Sequence, residues 1–349
     1  MRLISTAAAA IAATLAVTTA ASAADATWSF RVDSVKDGAK TRIQYTPLDK
    51  ASKKWKLCAL FPHLKDSYWL SVDYGMVQEA KRLGVALTIL QAGGYDNLPK
   101  QLAQYDDCLN SGADAVLVSP ISEAGVANKI EEGMKKGIPQ VAVANPVLKT
   151  PITAKISTDY HEKGLSAGLY VIKYLGDKGG EAVAFPGPQG SGWAETYMSG
   201  FRDAVKCSKI KLLDEKYGDT GVAEQLRLVQ DALQTYPSMT VIWGTAPTVE
   251  AALGAVAAAG RSDVTIMASY ENQAMLKDML DKKILGFSAE YPVMMGRIGV
   301  DLAVRALEHK PLEAELSVPP DLITNETLKS VDINQILAPN NFKPEFDVQ

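Results

Sequence analysis

From Trp55 onward, short apolar runs alternate with segments of helical period, and the alternation passes through two full series. Lys56-Leu-Cys-Ala-Leu-Phe61 stops at Pro62, and residues 71–83 then space Val72, Met76, Ala80 and Leu83 along one helical face until Gly84. Residues 85–90, 115–118 and 139–143 read as further strands, separated by helices over 98–111 and 121–136. Parallel strands cannot be joined by a tight turn, so strands that alternate with helices imply right-handed crossovers and a parallel sheet. A second series follows: a helix over 161–175, strands at 181–185, 211–213, 241–243, 264–267 and 284–288 with helices between, and a last helix over 293–307. The pattern predicts an α/β fold of two doubly wound parallel-sheet lobes joined by a multi-strand hinge around a ligand cleft.

A chain of 349 residues suits two such domains better than one core. The expected division gives lobe 1 residues 55–157 plus 290–312, and lobe 2 residues 160–287 plus 320–349. Residues 157–160 and 288–291 are the expected crossover strands. Residues 1–23 carry a single charge, Arg2, then an apolar run ending in Ala21-Ser22-Ala23, the layout of a cleavable secretory signal peptide. That layout predicts export to the periplasm. No later stretch approaches the ~20 apolar residues of a spanning helix, so no membrane insertion is expected. Residues 24–54 form an N-terminal extension, and alternation over 27–33 predicts an added strand or hairpin, set against lobe 1 or a partner.

Composition removes several classes of function. With 36 Lys+Arg against 40 Asp+Glu and no basic stripe, the electrostatic footprint of a nucleic-acid binder is missing. Three Cys and the scattered His63, His161 and His309 give no basis for a metal site, and no motif calls for a cofactor. The glycine-rich loop 187–192 lacks the Lys-Ser/Thr ending of a phosphate loop and reads as a turn that brings backbone to the cleft. No nucleophile, base and orienting group assemble, and Asp106-Asp107 and Glu131-Glu132 read as solvated helix faces. No catalytic residue is expected. In an oxidising compartment Cys58 and Cys108 either pair, leaving Cys207 alone, or remain buried thiols; spacing leaves both open.

In two-lobed α/β proteins the ligand sits beyond the carboxyl ends of the strands. The residues at those places are unusually aromatic. Asp66, Tyr68 and Trp69 follow the first strand, Tyr95 follows Gly93-Gly94, and Tyr160 stands at the first crossover. Trp193, Trp243 and Tyr270 follow lobe-two strands, and Glu290-Tyr291 occupies the return crossover. Aromatic faces with one or two carboxylates make a box for a methylated ammonium, whose methyl groups leave it no hydrogen bonds to lose. Asp66 or Glu290 would add charge or accept a proton from the ligand. Any one of these rings could instead cap the core or stack on a sugar, but so many at cleft positions favour ligand contact. The candidate binding set is Asp66, Tyr68, Trp69, Tyr95, Tyr160, Tyr270 and Glu290.

The stretch Trp55-Lys-Leu-Cys-Ala-Leu-Phe-Pro-His-Leu-Lys-Asp-Ser-Tyr-Trp-Leu-Ser-Val-Asp-Tyr-Gly75, followed by Ala92-Gly-Gly-Tyr95, resembles the trimethylamine N-oxide (TMAO)-sensing branch of the type I periplasmic binding proteins. Weaker similarity continues through Gly244-Thr-Ala246, Ser269-Tyr270 and Asn341-Phe-Lys-Pro344. The resemblance implies lobes that close on TMAO and present it to a membrane sensor histidine kinase, with Asp66, Tyr68, Trp69, Tyr95 and Tyr270 as ligand contacts. Where that branch carries Trp at the first crossover, this chain has Tyr160. The smaller ring adds a hydroxyl, which admits a related amine, another polar solute or a sugar. The alternative is the solute-binding subunit of an ABC importer, with a permease as partner. Sugar-binding members of the wider family carry Asn-Asp at a lobe-two strand end and an Arg in the preceding helix. Here those places read Thr245-Ala246 and Ala194-Glu195-Thr196, which favours the sensory reading.

Overall fold

A computed structural model describes residues 28–349. The signal peptide expected over 1–23 and the first residues of the extension lie outside the described residues. The described chain opens with a hairpin, β1 (Phe30–Lys36) and β2 (Ala39–Tyr45). Its two-residue turn sets Asp37 and Gly38 at φ 50° and 79°, the left-handed pair that matches the twist of the flanking strands. Lobe 1 continues as β3 (Lys56–Phe61), α1 (Ser67–Leu83), β4 (Ala86–Gln91), α2 (Leu98–Asn110), β5 (Ala115–Val118), α3 (Glu123–Lys135), β6 (Gln140–Val143) and β7 (Ala154–Thr158). Lobe 2 begins with α4 (Tyr160–Leu175), β8 (Gly180–Phe185), α5 (Trp193–Val205), β9 (Ile210–Glu215) and α6 (Val222–Thr235). It goes on through β10 (Val241–Gly244), α7 (Ala246–Ala258), β11 (Thr265–Ala268), α8 (Gln273–Leu280) and β12 (Gly286–Ala289). The chain then returns to lobe 1 with α9 (Pro292–Leu307) and β13 (Glu315–Val318), visits lobe 2 with β14 (Asp321–Thr324), and ends on lobe 1 with β15 (Asp347–Val348).

Two mostly parallel sheets result, ordered β15-β4-β3-β5-β6-β7-β13-β1-β2 and β14-β12-β11-β10-β8-β9. Antiparallel strands occur only at their edges, where the hairpin joins β13, β15 joins β4, and β14 joins β12. The central strands are buried on both faces, as helices on either side of a parallel sheet require. Helix pairs pack closely where a side chain is missing. A Cβ at Gly75 of α1 would lie 2.1 Å from the Val293 carbonyl of α9, and one at Gly164 of α4 would lie 2.1 Å from the Tyr197 carbonyl of α5. Any larger residue at either place would push the helices apart.

Cys58 on β3 and Cys108 on α2 are joined in a disulfide, with Cα atoms 5.8 Å apart, and Cys207 is free and exposed. A cross-link closing a loop of this size restricts the unfolded chain by about 2–4 kcal/mol.

Among the described residues the polypeptide crosses between lobes four times: at Asp159, at Glu290-Tyr291, at Pro319-Pro320 and between β14 and Ala338. The third lies between the segments 290–312 and 320–349, expected in different lobes, and the fourth is additional to the expected division. The expected placement of 320–349 in lobe 2 needs correction, because only β14 stays there. Beyond it, the Ala338 N–H donates to Ser71 Oγ (3.1 Å), Phe342 packs on Tyr74 (5.1 Å between ring centres), and Glu345 pairs with Lys81 (2.7 Å), all on α1. The tail then supplies β15, which covers the otherwise open edge of β4.

Under this tail lies Asp73, fully buried, whose Oδ2 accepts the Glu345 N–H (3.3 Å) while Oδ1 has no partner. Burial pushes its carboxyl up to about 7, with the Glu345 N–H pulling the other way. A carboxyl raised in the folded state stabilises it at low pH, and that stability is lost as pH rises from the unfolded value through about 7. Asp73→Asn is therefore expected to add stability that grows between about pH 4 and about pH 7 and is full above neutrality, so that its gain at about pH 8 exceeds its gain at about pH 5 by on the order of 1–2 kcal/mol or roughly 2–8 °C in Tm. Thermal unfolding at about pH 5 and about pH 8 checks this; the same shift at both would refute the assignment.

Candidate functional site

The loops at the carboxyl ends of the strands meet between the lobes, and local structure fixes each side chain. Asp66, just after β3, caps α1 by accepting the Tyr68 N–H (3.1 Å), which sends Tyr68 and Trp69 into the cleft from the first helical turn. Gly93-Gly94 turns the chain after β4 and delivers Tyr95. Ala144, at φ 62°, turns it after β6 and delivers Asn145. From lobe 2 come Trp193 at the start of α5, Thr220 after β9 and Tyr270 after β11, while Tyr160 and Glu290 stand at the first and second crossovers. Gly187, φ 120°, gives room to the Trp193 indole, which a Cβ there would meet at 2.5 Å. This is what the glycine-rich loop does.

The cavity between the lobes holds about 290 Å³ of atom-free space. A space of this size suits a small solute. Tyr68, Trp69, Tyr95, Tyr160, Tyr270 and Glu290 all line it. Asp66 stands behind the wall, accepting the Tyr270 hydroxyl (2.8 Å) and Asn272 Nδ2 (3.1 Å). Tyr68 meets Trp69 and Tyr270 edge to face, with ring centres 5.3 Å apart in both pairs. Trp193 meets Tyr95 and Tyr270 similarly, at 5.9 and 6.2 Å. Trp243 does not join them. It is part of β10, wholly buried and stacked on Phe201 at 4.5 Å, so its expected place at the cleft is corrected to the lobe-two core.

Glu290 carries the charge of the site. Its two oxygens accept the hydroxyls of Tyr68 from lobe 1 and Tyr197 from lobe 2, both at 2.7 Å. Burial pushes its carboxyl upward, while the Lys163 charge and the two tyrosine donors pull it back. Burial, reinforced by these carboxylates, keeps Tyr68, Tyr197 and Tyr270 protonated well beyond the ordinary range. Behind Glu290, the buried Glu271 carboxylate accepts the backbone N–H groups of Glu290 and Tyr291, each at 2.9 Å. The Tyr160 hydroxyl donates to the Ala144 carbonyl (2.7 Å), so its proton is committed to backbone and its ring face is what the cavity receives. At the mouth, Lys65 of lobe 1 pairs with Asp219 of lobe 2 at 3.0 Å.

Asn145, Trp193 and Thr220 complete the lining beyond the candidate set, and Tyr197 supports it. The strand-end rule would have found Asn145 and Thr220. Tyr197 lies one helical turn after Trp193 on the same face, a spacing that was legible. Thr245, at the strand end where sugar binders place Asn, is spent capping α7 through the Thr248 N–H (3.3 Å).

The periplasmic binding protein domain family matches residues 59–311. The chain belongs to that family. Periplasmic binding proteins are binders rather than enzymes, and the two-lobed fold is of their type I architecture. The periplasmic protein TorT of Escherichia coli K12 is 31% identical over 309 residues, 87% of each chain. An ABC transporter solute-binding protein from Bradyrhizobium sp. BTAi1 with bound Bis-Tris is 40% identical with a TM-score of 0.78, covering 91% of this chain and 98% of that one. The complex of the TorS sensor domain with TorT in the presence of TMAO is 29% identical with a TM-score of 0.75, covering 84% of this chain and all of that one. This periplasmic binding protein is a solute binder of that kind.

Proposed function

We propose that this periplasmic binding protein, exported by its leader, closes on a small methylated amine, TMAO foremost, and that a membrane sensor histidine kinase reads the closed form. The observation that carries the reading is one carboxylate, Glu290, set in a small cavity walled by the rings of Tyr68, Trp69, Tyr95, Tyr160, Trp193 and Tyr270. Such walls attract a cation whose methyl groups ask for no hydrogen bonds. The committed hydroxyl of Tyr160 removes the polar group that would have argued for a sugar. Among the relatives, the solved TorS–TorT complex in the presence of TMAO supports the ligand class.

Isothermal titration of ligand-stripped protein with TMAO, glycine betaine, choline and ribose tests the reading. Trp69→Ala is expected to weaken TMAO binding roughly 30-fold through lost cation–π contact and lost burial. Heat from ribose alone would reject it. A second reading, the binding subunit of an importer, is favoured by the Bradyrhizobium relative described as an ABC transporter component. Capture of a kinase sensor domain by the ligand-loaded protein separates the two, since an importer subunit would engage a permease instead.

A further inference from the structure

Two hydroxyls in the cavity have their oxygens already occupied by donors. Tyr95 Oη accepts from Asn145 Nδ2 (2.9 Å) and Trp193 Nε1 (3.1 Å), and an indole nitrogen can only donate. Asn145 Nδ2 also donates to the Pro120 carbonyl (2.8 Å), which fixes the orientation of that amide. Tyr95 is therefore left with its own proton to give. Thr220 is placed the same way by His63. The Lys65 N–H donates to His63 Nδ1 (3.2 Å), so the neutral imidazole carries its proton on Nε2 and donates it to Thr220 Oγ1 at 2.7 Å. Burial holds His63 neutral by pushing its pKa down to about 4. Among the described residues, neither hydroxyl proton has a protein acceptor.

We propose that Tyr95 and Thr220 form a split donor pair, one hydroxyl from each lobe, that selects a ligand carrying an acceptor oxygen, and that His63 is the positioning residue that turns the Thr220 proton into the cavity. The inference deepens the methylated-amine reading and rests on it for the choice of probe. It adds a requirement that the aromatic box does not impose, because ring faces alone hold a quaternary ammonium as readily as an amine oxide. It also couples selection to closure: His63 and Tyr95 lie in lobe 1 and Thr220 in lobe 2, so the Thr220 proton is aimed only when the lobes meet.

The test pairs TMAO with tetramethylammonium, which replaces the oxygen by a methyl group, in calorimetric titrations of the mature protein. Wild type is expected to prefer TMAO. Thr220→Val should weaken TMAO about 10-fold and leave tetramethylammonium unchanged, and Thr220→Ser should restore the preference. His63→Phe should behave as Thr220→Val, with partial recovery in His63→Gln, whose amide can still donate. Equal losses for both ligands, or an unchanged preference, would overturn the proposal. If wild type binds neither amine, the methylated-amine reading fails, and ribose titrated against Thr220→Val decides the donor pair by the same about 10-fold criterion. In the ligand-saturated protein, imidazole nitrogen shifts should report the Nε2–H tautomer of His63; an Nδ1–H tautomer would contradict its role.

Discussion

Glu290→Gln is expected to weaken methylated-amine binding at least about 100-fold while leaving the protein as stable as wild type or more so. The carboxylate is buried and accepts one tyrosine hydroxyl from each lobe, so it serves both as counter-charge and as a bridge that forms on closure. Amputating a fully desolvated charge from its ionic contact costs on the order of 2–5 kcal/mol of affinity, and a factor of 100 is about 2.7 kcal/mol. Gln keeps the shape and one acceptor, but its amide cannot accept both hydroxyls. Folding responds in the opposite direction, because a buried carboxylate whose pKa is raised by burial penalises the folded state and Gln removes that penalty. The same argument fixes the pH dependence. Wild-type affinity should fall as pH drops through the raised Glu290 value, and the Gln variant should show no such fall. Titration calorimetry across pH reads both, and an affinity for Glu290→Gln within a few fold of wild type would remove Glu290 from the site.

Most of this site could be read before any coordinates because it obeys a positional rule. Ligand-facing residues in these sheets follow strand ends, and strand ends are marked in sequence by where an apolar run stops. Tyr68, Trp69, Tyr95, Tyr160, Tyr270 and Glu290 all satisfy the rule and all reach the cavity. Trp243 breaks it by one residue: β10 extends to Gly244, and side chains alternate along a strand, so the indole turns into the core. The alternation over 27–33 pointed to an added strand or hairpin, and the Asp37-Gly38 turn that makes it a hairpin went unread. The return of the tail to lobe 1 was not legible, since β15 is only two residues long and pairs because β4 offers a free edge, which is a property of the folded sheet and not of the tail. Donor direction at Thr220 was equally hidden. It depends on a histidine 157 positions away whose tautomer is set by a third residue's backbone.

The least legible residue predicts the largest effect on stability. Lys163 sits in the first turn of α4 among positions that read from sequence as an ordinary helix start, yet it is fully buried. Its ammonium donates to the Ala289 carbonyl at the second crossover and to the Pro319 carbonyl at the third (3.4 Å), while Asp159 at the first crossover caps the same helix through the Glu162 N–H (3.0 Å). Three of the four interlobe connections are thus gathered at one helix end. Burial drives the lysine toward its neutral form, and the fields of Glu290 and Glu271 drive it back. Its charge in turn steadies those two carboxylates. Lys163→Met keeps most of the side-chain volume but leaves two carbonyls unpaired and two buried carboxylates uncompensated, a loss of about 3–5 kcal/mol, or roughly 10 °C in Tm. Adding Glu271→Gln should return part of that loss, because one of the stranded charges disappears with its partner, and the two substitutions should be clearly non-additive. A single variant that melts within about 2 °C of wild type would mean that water already reaches Nζ and that the crossovers are held by the backbone alone. With the lysine gone, the crossovers lose their common anchor on lobe 2, so the open form should gain population and TMAO affinity should fall even though Lys163 lies outside the cavity lining.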